Sequence, residues 1–278
     1  MSDVERLDLA CDAAIAGGRA IRPFTARSPA GFVGRRVEAK AKADGSPVTD
    51  ADLAAHHAIV DVLAVSGLPV LSEESGPEAT AGAARWTRFW CVDPLDGTKE
   101  FVAGRDEFTV NVALVEGGFP VLGVVHVPVS GVTYGGSSAG AWVERPGAVR
   151  KAIRVREPDA GRLVVATSRS HTGRAVEAVL AAIRADGLAV ETHAMGSSLK
   201  MCLVAEGAAD LYPRPGPTHA WDTAAAQAVV EAAGGFLGTW AGERLGVEAV
   251  RTLNPAVVAW GSAAVAAAWP RWSAGGAR

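Results

Sequence analysis

The residues best suited to chemistry lie in Asp93-Pro94-Leu95-Asp96-Gly97-Thr98, where two carboxylates flank a proline and precede a glycine and a hydroxyl. A short apolar run, 89–92, leads straight into this stretch and reads as a buried strand. Carboxylates do not belong in a packed core, because burying one is costly unless it is paired or bound to a metal. Pro94 fixes its own φ, and Gly97 lets the backbone approach a ligand closely. The stretch therefore points to a divalent-cation site facing a phosphate. Three further acidic groups sit at the ends of predicted elements: Asp52, Glu73 with Glu74, and Asp222. Oxygen-only ligands suit a hard cation, Mg²⁺ first and Mn²⁺ next. No histidine pair at ligand spacing competes for zinc. Carboxylates in such numbers can bridge two or three cations, polarising a phosphoryl group, activating a water and stabilising the leaving oxygen. The N–H groups of Gly97 and Thr98 suit phosphate oxygens. The Thr98 hydroxyl can hold an attacking water, provided a carboxylate such as Asp52 accepts its proton.

Taken singly, these acids have plainer readings. An aspartate at a helix start, such as Asp52 or Asp222, is ordinarily a cap. Glu73-Glu74 alone would be a solvated loop. Four acidic clusters at element ends favour one shared site over four separate accidents.

The elements that must position them follow from periodicity. Val4, Leu7, Cys11, Ala14 and Ile15 have helical spacing, so residues 3–22 form an amphipathic helix, and 23–34 form a loop. Asp44-Gly45 and Ser46-Pro47 signal turns, and Thr49 or Asp50 can cap a helix running to about residue 65. Strands are expected at 68–71 and 108–115, the latter turning at Gly117-Gly118 into 121–127, with short strands near Thr133 and at 141–143. Residues 1–150 thus read as two helices on a largely antiparallel sheet. Beyond the charged segment 150–162, strands at 163–166, 188–192, 209–212 and 257–260 alternate with helices at 172–185, 197–206 and 222–233. Residues 151–278 read as an α/β half with helices on both faces of a sheet.

Composition narrows the function. The 278 residues are 49% hydrophobic and 21% charged, which makes the chain globular. A net charge of −3 without a basic block argues against binding a nucleic-acid polymer. Cys11, Cys91 and Cys202 are widely spaced and read as buried thiols in a reducing cytoplasm. No signal peptide is expected, and the longest apolar stretch, 256–269, is too short to span a bilayer.

Asp93 to Thr98, with Trp221-Asp222, resembles the paired signatures of the lithium-sensitive, magnesium-dependent phosphatases that include inositol monophosphatases and fructose-1,6-bisphosphatases. Ser46 to Thr49, Leu71 to Glu74, Lys99-Glu100-Phe101, Phe108 to Asn111, Ser168 to His171, Gly196 to Lys200 and Leu211 to Arg214 look like the CysQ-type 3′(2′),5′-bisphosphate nucleotidase branch. The resemblance covers about residues 40–260. It implies a layered α-β-α-β-α sandwich of the α/β (α+β) class. It implies Mg²⁺, two or three ions per site, held by Glu73, Asp93, Asp96, Asp222 and the Leu95 carbonyl. Asp52 and Glu73 would orient Thr98 and its water. The reaction implied removes the 3′-phosphate of adenosine 3′,5′-bisphosphate to give AMP; 3′-phosphoadenylyl sulfate is a second substrate. The alternative is an inositol-1-phosphate or fructose-1,6-bisphosphate phosphatase. Substrate contacts would come from Glu73, Leu95, Asp96, Gly97, Thr98 and Asp222, and from His171, Ser197, Ser198, Lys200 and Arg214 around the second phosphate. Without the resemblance, Lys200 and Arg214 read as surface charges. A cytoplasmic monomer or homodimer is expected, with peripheral inner-membrane association compatible with it. Pro215 to His219 is proline-rich and departs from the branch, with the nucleotide pocket the part affected.

Overall fold

The computed structural model describes residues 1–25, 27–28, 31–32, 40–41, 47–76, 78–169 and 173–275. Helix α1 (Asp3–Ile21) opens with a capping box in which Ser2 Oγ accepts from the Glu5 N–H and Glu5 accepts from the Ser2 N–H. Within the expected loop 23–34, β1 (Arg27–Ser28) and β2 (Gly31–Phe32) pair antiparallel. So do β3 (Lys40–Ala41) and β4 (Pro47–Val48). The expected turns at Asp44-Gly45 and at Ser46 lie outside the described residues. Helix α2 (Asp50–Leu63) packs on α1.

The first sheet contains β5 (Val70–Ser72), β6 (Arg88–Asp96), β7 (Thr109–Glu116), β8 (Phe119–His126), β9 (Thr133–Ser137), β10 (Gly140–Glu144) and β11 (Lys151–Ile153). Its order is β11-β10-β9-β8-β7-β6-β5, antiparallel except for the parallel pair β5–β6. The short helix α3 (Thr98–Val102) leaves the end of β6. Strand alternation sorts β6 onto two cores. Trp90 and Val92 face α1 and α2, whereas Phe89 and Cys91 face the interior of the molecule.

The second half supplies β12 (Arg162–Ser168), α4 (Arg174–Ala185), β13 (Ala189–Met195), α5 (Leu199–Ala205), β14 (Leu211–Arg214), β15 (Thr218–His219), α6 (Ala220–Ala232), β16 (Phe236–Thr239), β17 (Leu253–Asn254), β18 (Val257–Trp260) and α7 (Ala263–Ser273). Its main sheet runs β13-β12-β14-β18-β16, with the first three strands parallel. Helices α5 and α6 fill the space between the two sheets, and α4 with α7 covers the outer face of the second. The layers are therefore α-β-α-β-α. No element was expected for the Ala-rich tail after Gly261; it forms α7, with Ser262 Oγ capping the Val265 N–H. Strand β16 also escaped the sequence pattern.

The boundary expected near residue 150 falls just before β11, so the first sheet takes in residues 151–153. Helix α6 lies directly on β7, β8 and β9 of that sheet. Two glycines permit this approach: a Cβ at Gly123 would lie 2.3 Å from the Ala225 carbonyl oxygen, and one at Gly136 would lie 2.6 Å from Val229 Cα. That close seating brings the first turn of α6 to the end of β6.

Candidate metal and phosphate site

Asp93 and Asp96 are three residues apart, so a regular strand would point them to opposite faces. Strand β6 avoids this with a bulge. Asp93 opposes Asn111 and Asp96 opposes Thr109, so three steps on β6 match two on β7. The extra residue falls within Pro94-Leu95, where a proline without an N–H donor is tolerated. Both carboxylates then meet Asp222 from α6, and one oxygen from each of the three lies within 4.8 Å of the others.

Each carboxylate is fixed by donors. The Leu95 N–H donates to Asp93 at 3.0 Å. The Ser198 N–H donates to Asp96 Oδ2 at 2.6 Å, with Thr109 Oγ1 at 3.4 Å and Asn111 Nδ2 at 3.5 Å behind it. The His219 N–H donates to Asp222 Oδ2 at 2.7 Å. Burial and then the charges of Glu73, Asp96 and Asp222 hold the Asp93 carboxyl well above the ordinary range. Burial, with the charge of Asp96 next, pushes Asp222 up to about 8. Burial also raises Asp96, against the opposing pull of the Lys200 charge and the Ser198 N–H. Repulsion of this kind among oxygen-only donors is what a hard divalent cation relieves, so the donor set fits Mg²⁺ or Mn²⁺. Glu73 lies beside the cluster: its N–H donates to the Val92 carbonyl at 3.1 Å, and its charge acts on Asp93 and Asp222.

Asp52 and Asp222 show why a capping reading and a functional reading need not compete. Thr49, not Asp50, caps α2, and Asp52 is the third residue of its capping box. Asp52 Oδ2 accepts from the Thr49 N–H at 2.8 Å and from Thr49 Oγ1 at 2.5 Å. Its other oxygen, Oδ1, lies 3.3 Å from Thr98 Oγ1. Thr98 Oγ1 is also 3.2 Å from the Leu95 carbonyl. Burial raises the Asp52 carboxyl, against the bonds from Thr49. Gly97 precedes α3 at φ +95°, a conformation that favours glycine.

Beside the carboxylates opens a cleft of about 120 Å³ lined by Ser197, Ser198, Lys200, Tyr212 and Arg214. The expected phosphate-binding residues differ in how committed they already are. Ser198 Oγ bonds Asn111 Oδ1 at 2.9 Å and Thr109 Oγ1 at 2.8 Å, so this serine supports Asp96 as much as it lines the cleft. Lys200 is buried, not a surface charge; its Nζ donates to the carbonyls of Ser197 at 2.5 Å and Met195 at 3.3 Å. Burial pushes its pKa down to about 8. Ser197 Oγ and Arg214 Nε are buried without a hydrogen-bond partner, two polar atoms on the wall of the cleft. His171 lies outside the described residues. Sequence reasoning gave no role to Thr109 and Asn111 as supports of Asp96. Their spacing on β7, two apart and opposite the acidic motif, was the available signal.

The model of the inositol monophosphatase family matches residues 4–274. The 3′(2′),5′-bisphosphate nucleotidase CysQ of Escherichia coli (strain K12) is 49% identical over 211 residues, covering 75% of this chain and 82% of its own. Among solved structures, CysQ from Bacteroides thetaiotaomicron superposes with a TM-score of 0.77 at 35% identity, covering 92% of this chain and 97% of that one. An inositol monophosphatase from Zymomonas mobilis superposes with a TM-score of 0.73 at 28% identity, covering 98% and 99%.

Proposed function

The chain belongs to the inositol monophosphatase family, and on that premise we propose that it is a divalent-metal-dependent 3′(2′),5′-bisphosphate nucleotidase. It removes the 3′-phosphate of adenosine 3′,5′-bisphosphate to give AMP and phosphate, and acts on 3′-phosphoadenylyl sulfate as a second substrate. The observation that carries the reading is the meeting of Asp93, Asp96 and Asp222 beside the Thr98–Asp52 pair, at one end of a cleft walled by Ser197 and Arg214.

Asp93, Asp96, Asp222, Glu73 and the Leu95 carbonyl would hold Mg²⁺, two or three ions per site. Bound there, the cation supplies charge neutralisation for the phosphoryl oxygens and lowers the pKa of water. The protein's own groups orient and move the proton. Thr98 holds the attacking water through its hydroxyl oxygen, and its own O–H donates to Asp52 Oδ1. As the water attacks, its proton passes to Thr98 Oγ1 and the Thr98 proton passes to Asp52 Oδ1; Asp52 is suited to take it because its second oxygen is fixed by Thr49 and does not swing. Gly97 and Thr98 offer N–H groups to the phosphate at the start of α3. Arg214 and the 196–200 loop receive the second phosphate, with the guanidinium suited to a bidentate pair.

The three described cysteines are free and buried, in keeping with a reducing cytoplasm. No helix among the described residues is long and apolar enough to cross a membrane. Li⁺ competing for a Mg²⁺ position would inhibit. The test compares kcat/KM with Mg²⁺ for adenosine 3′,5′-bisphosphate, inositol 1-phosphate and fructose 1,6-bisphosphate. Preference for the bisphosphonucleotide is expected. Preference for either sugar phosphate overturns the nucleotide assignment, and phosphate release that survives in Asp93→Asn overturns the metal-site reading.

A further inference from the structure

The cleft wall at Gly196-Ser197-Ser198 is held in an unusual shape. Ser197 has φ +45°, the one positive φ outside glycine among the described residues. Such a conformation persists only where its surroundings over-determine it. Three bonds do so here. Ser198 N–H donates to Asp96, and Lys200 Nζ donates to the Ser197 carbonyl. The third comes from a residue outside the reaction scheme: Glu107 Oε2 accepts from the Gly196 N–H at 2.8 Å.

Glu107 is itself fixed. Arg169 Nε reaches its Oε2 at 3.2 Å and Arg169 Nη2 its Oε1 at 2.6 Å, a bidentate pair. The same Nη2 donates to the Ala194 carbonyl of β13 at 3.1 Å, just ahead of the loop. Glu107 also touches both loops through its backbone. A Cβ at Gly196 would lie 2.7 Å from its carbonyl oxygen, and one at Gly97 would lie 3.2 Å from the same atom. Residue 107 thus sits between the phosphate turn, built on the first sheet, and the cleft loop, built on the second.

We propose that Glu107, fixed by Arg169, is a positioning residue for substrate specificity: it clamps the 196–198 loop in the strained shape that presents the Ser197 hydroxyl to the substrate's second phosphate. This rests on the nucleotidase reading. The exposed half of the pair, Arg169, contributes through Glu107 and not by touching substrate. Without the carboxylate, Gly196 loses its acceptor and Ser197 relaxes to negative φ, carrying its hydroxyl out of the cleft wall.

The experiment uses the full chain and the variants Glu107→Ala, Glu107→Gln and Arg169→Ala. It measures KM and kcat for adenosine 3′,5′-bisphosphate. It also measures binding of AMP, which carries the 5′-phosphate alone, by calorimetry without metal. Losing a hydrogen bond to a charged acceptor weakens binding about tenfold to a hundredfold. E107A is expected to raise KM and the AMP dissociation constant together by at least about tenfold, with a smaller change in kcat. E107Q keeps an oxygen for the Gly196 N–H and recovers most of the loss. R169A added to E107A costs less than R169A alone, because the ion pair is already gone and only the bond to the Ala194 carbonyl is lost. A purely structural role would lower kcat through the folded fraction and leave KM and AMP affinity alone. The parent chain is assayed first. If it does not hydrolyse the bisphosphate, the nucleotidase reading falls and takes this inference with it. If it does, an E107A variant with parent melting temperature, KM and AMP affinity overturns the clamp alone. Should E107A fail to fold, R169A carries the test: a raised KM and weakened AMP binding support the clamp, and parent values for both overturn it.

Discussion

Replacing Asp222 by asparagine should make the metal-free protein more stable while abolishing phosphate release. The side chain caps α6 by accepting the His219 N–H. Asparagine keeps that acceptor, so the substitution removes charge and little else. In the folded chain, burial, followed by the charge of Asp96, pushes this carboxyl from 3.8 to about 8. The sign follows from linkage. The unfolded carboxyl ionises near its ordinary value and the folded one only near 8, so the penalty on the folded state begins above pH 4 and is complete above pH 8. At 1.36 kcal/mol per pH unit the full penalty is at most about 6 kcal/mol. Asp222 is partly exposed and shares protons with its neighbours, so about half, near 3 kcal/mol, is the working figure. With an unfolding entropy of about 2.1 cal/mol/K per residue, that raises Tm by about 5 °C for a chain of this length. At pH 5 only roughly a quarter of the effect has developed. The assay is thermal unfolding with excess chelator at pH 5, 6.5 and 8. Added Mg²⁺ should then raise the Tm of the parent chain more than that of D222N, closing the gap. A D222N variant no more stable than the parent at pH 8 would refute the picture of three crowded carboxylates awaiting a cation.

Three other expectations can be checked with the same preparations. Asp52→Asn keeps an oxygen for the Thr49 cap, so its Tm should hold while kcat falls about 10²–10⁴-fold; Asp52→Ala should lose the cap as well, at about 1 kcal/mol. A D52N enzyme with parent kcat would remove Asp52 from proton transfer. Gly97→Ala forces an alanine to φ +95° with its Cβ 3.2 Å from the Glu107 carbonyl, so a loss of about 1–3 kcal/mol with a fall in kcat is expected from chemical unfolding and steady-state kinetics. Lys200→Ala strips the donor from the Met195 and Ser197 carbonyls and should weaken the bisphosphonucleotide much more than a monophosphate substrate; equal losses on both would refute a role at the second phosphate.

What could be read from residues alone follows a physical line. The helices α1 and α2 were legible because burial on one face writes a period of 3.6 into the sequence, and the strands β6 to β8 because burial leaves short apolar runs or alternation bounded by turn residues. Strand β16 and helix α7 were not. The first interrupts its run with Gly238, and the second opens on an alanine-rich run with little periodicity and carries Pro270 inside it, a residue that reads as a helix stop. The acids of the site were legible as types, because oxygen ligands at element ends are conspicuous. How those acids are supported was not, since each support depends on a register that only pairing sets. Asp96 illustrates this. Its orientation needs a one-residue bulge against β7, two side chains on that strand, and the Ser198 N–H from a loop 102 positions away. None of those can be inferred from the hexapeptide. Lys200 illustrates the opposite error. A lone lysine at a helix start reads as a surface charge, yet here two carbonyls and the charges of Asp96, Glu100 and Glu107 offset its burial. The chemistry of a site is thus written in residue types, whereas its specificity lies in which backbone groups hold those residues still. That is why the clustered carboxylates stand out in one chain, whereas Glu107 does not: its partners Arg169 and Gly196 lie 62 and 89 positions further on and meet it only in the fold.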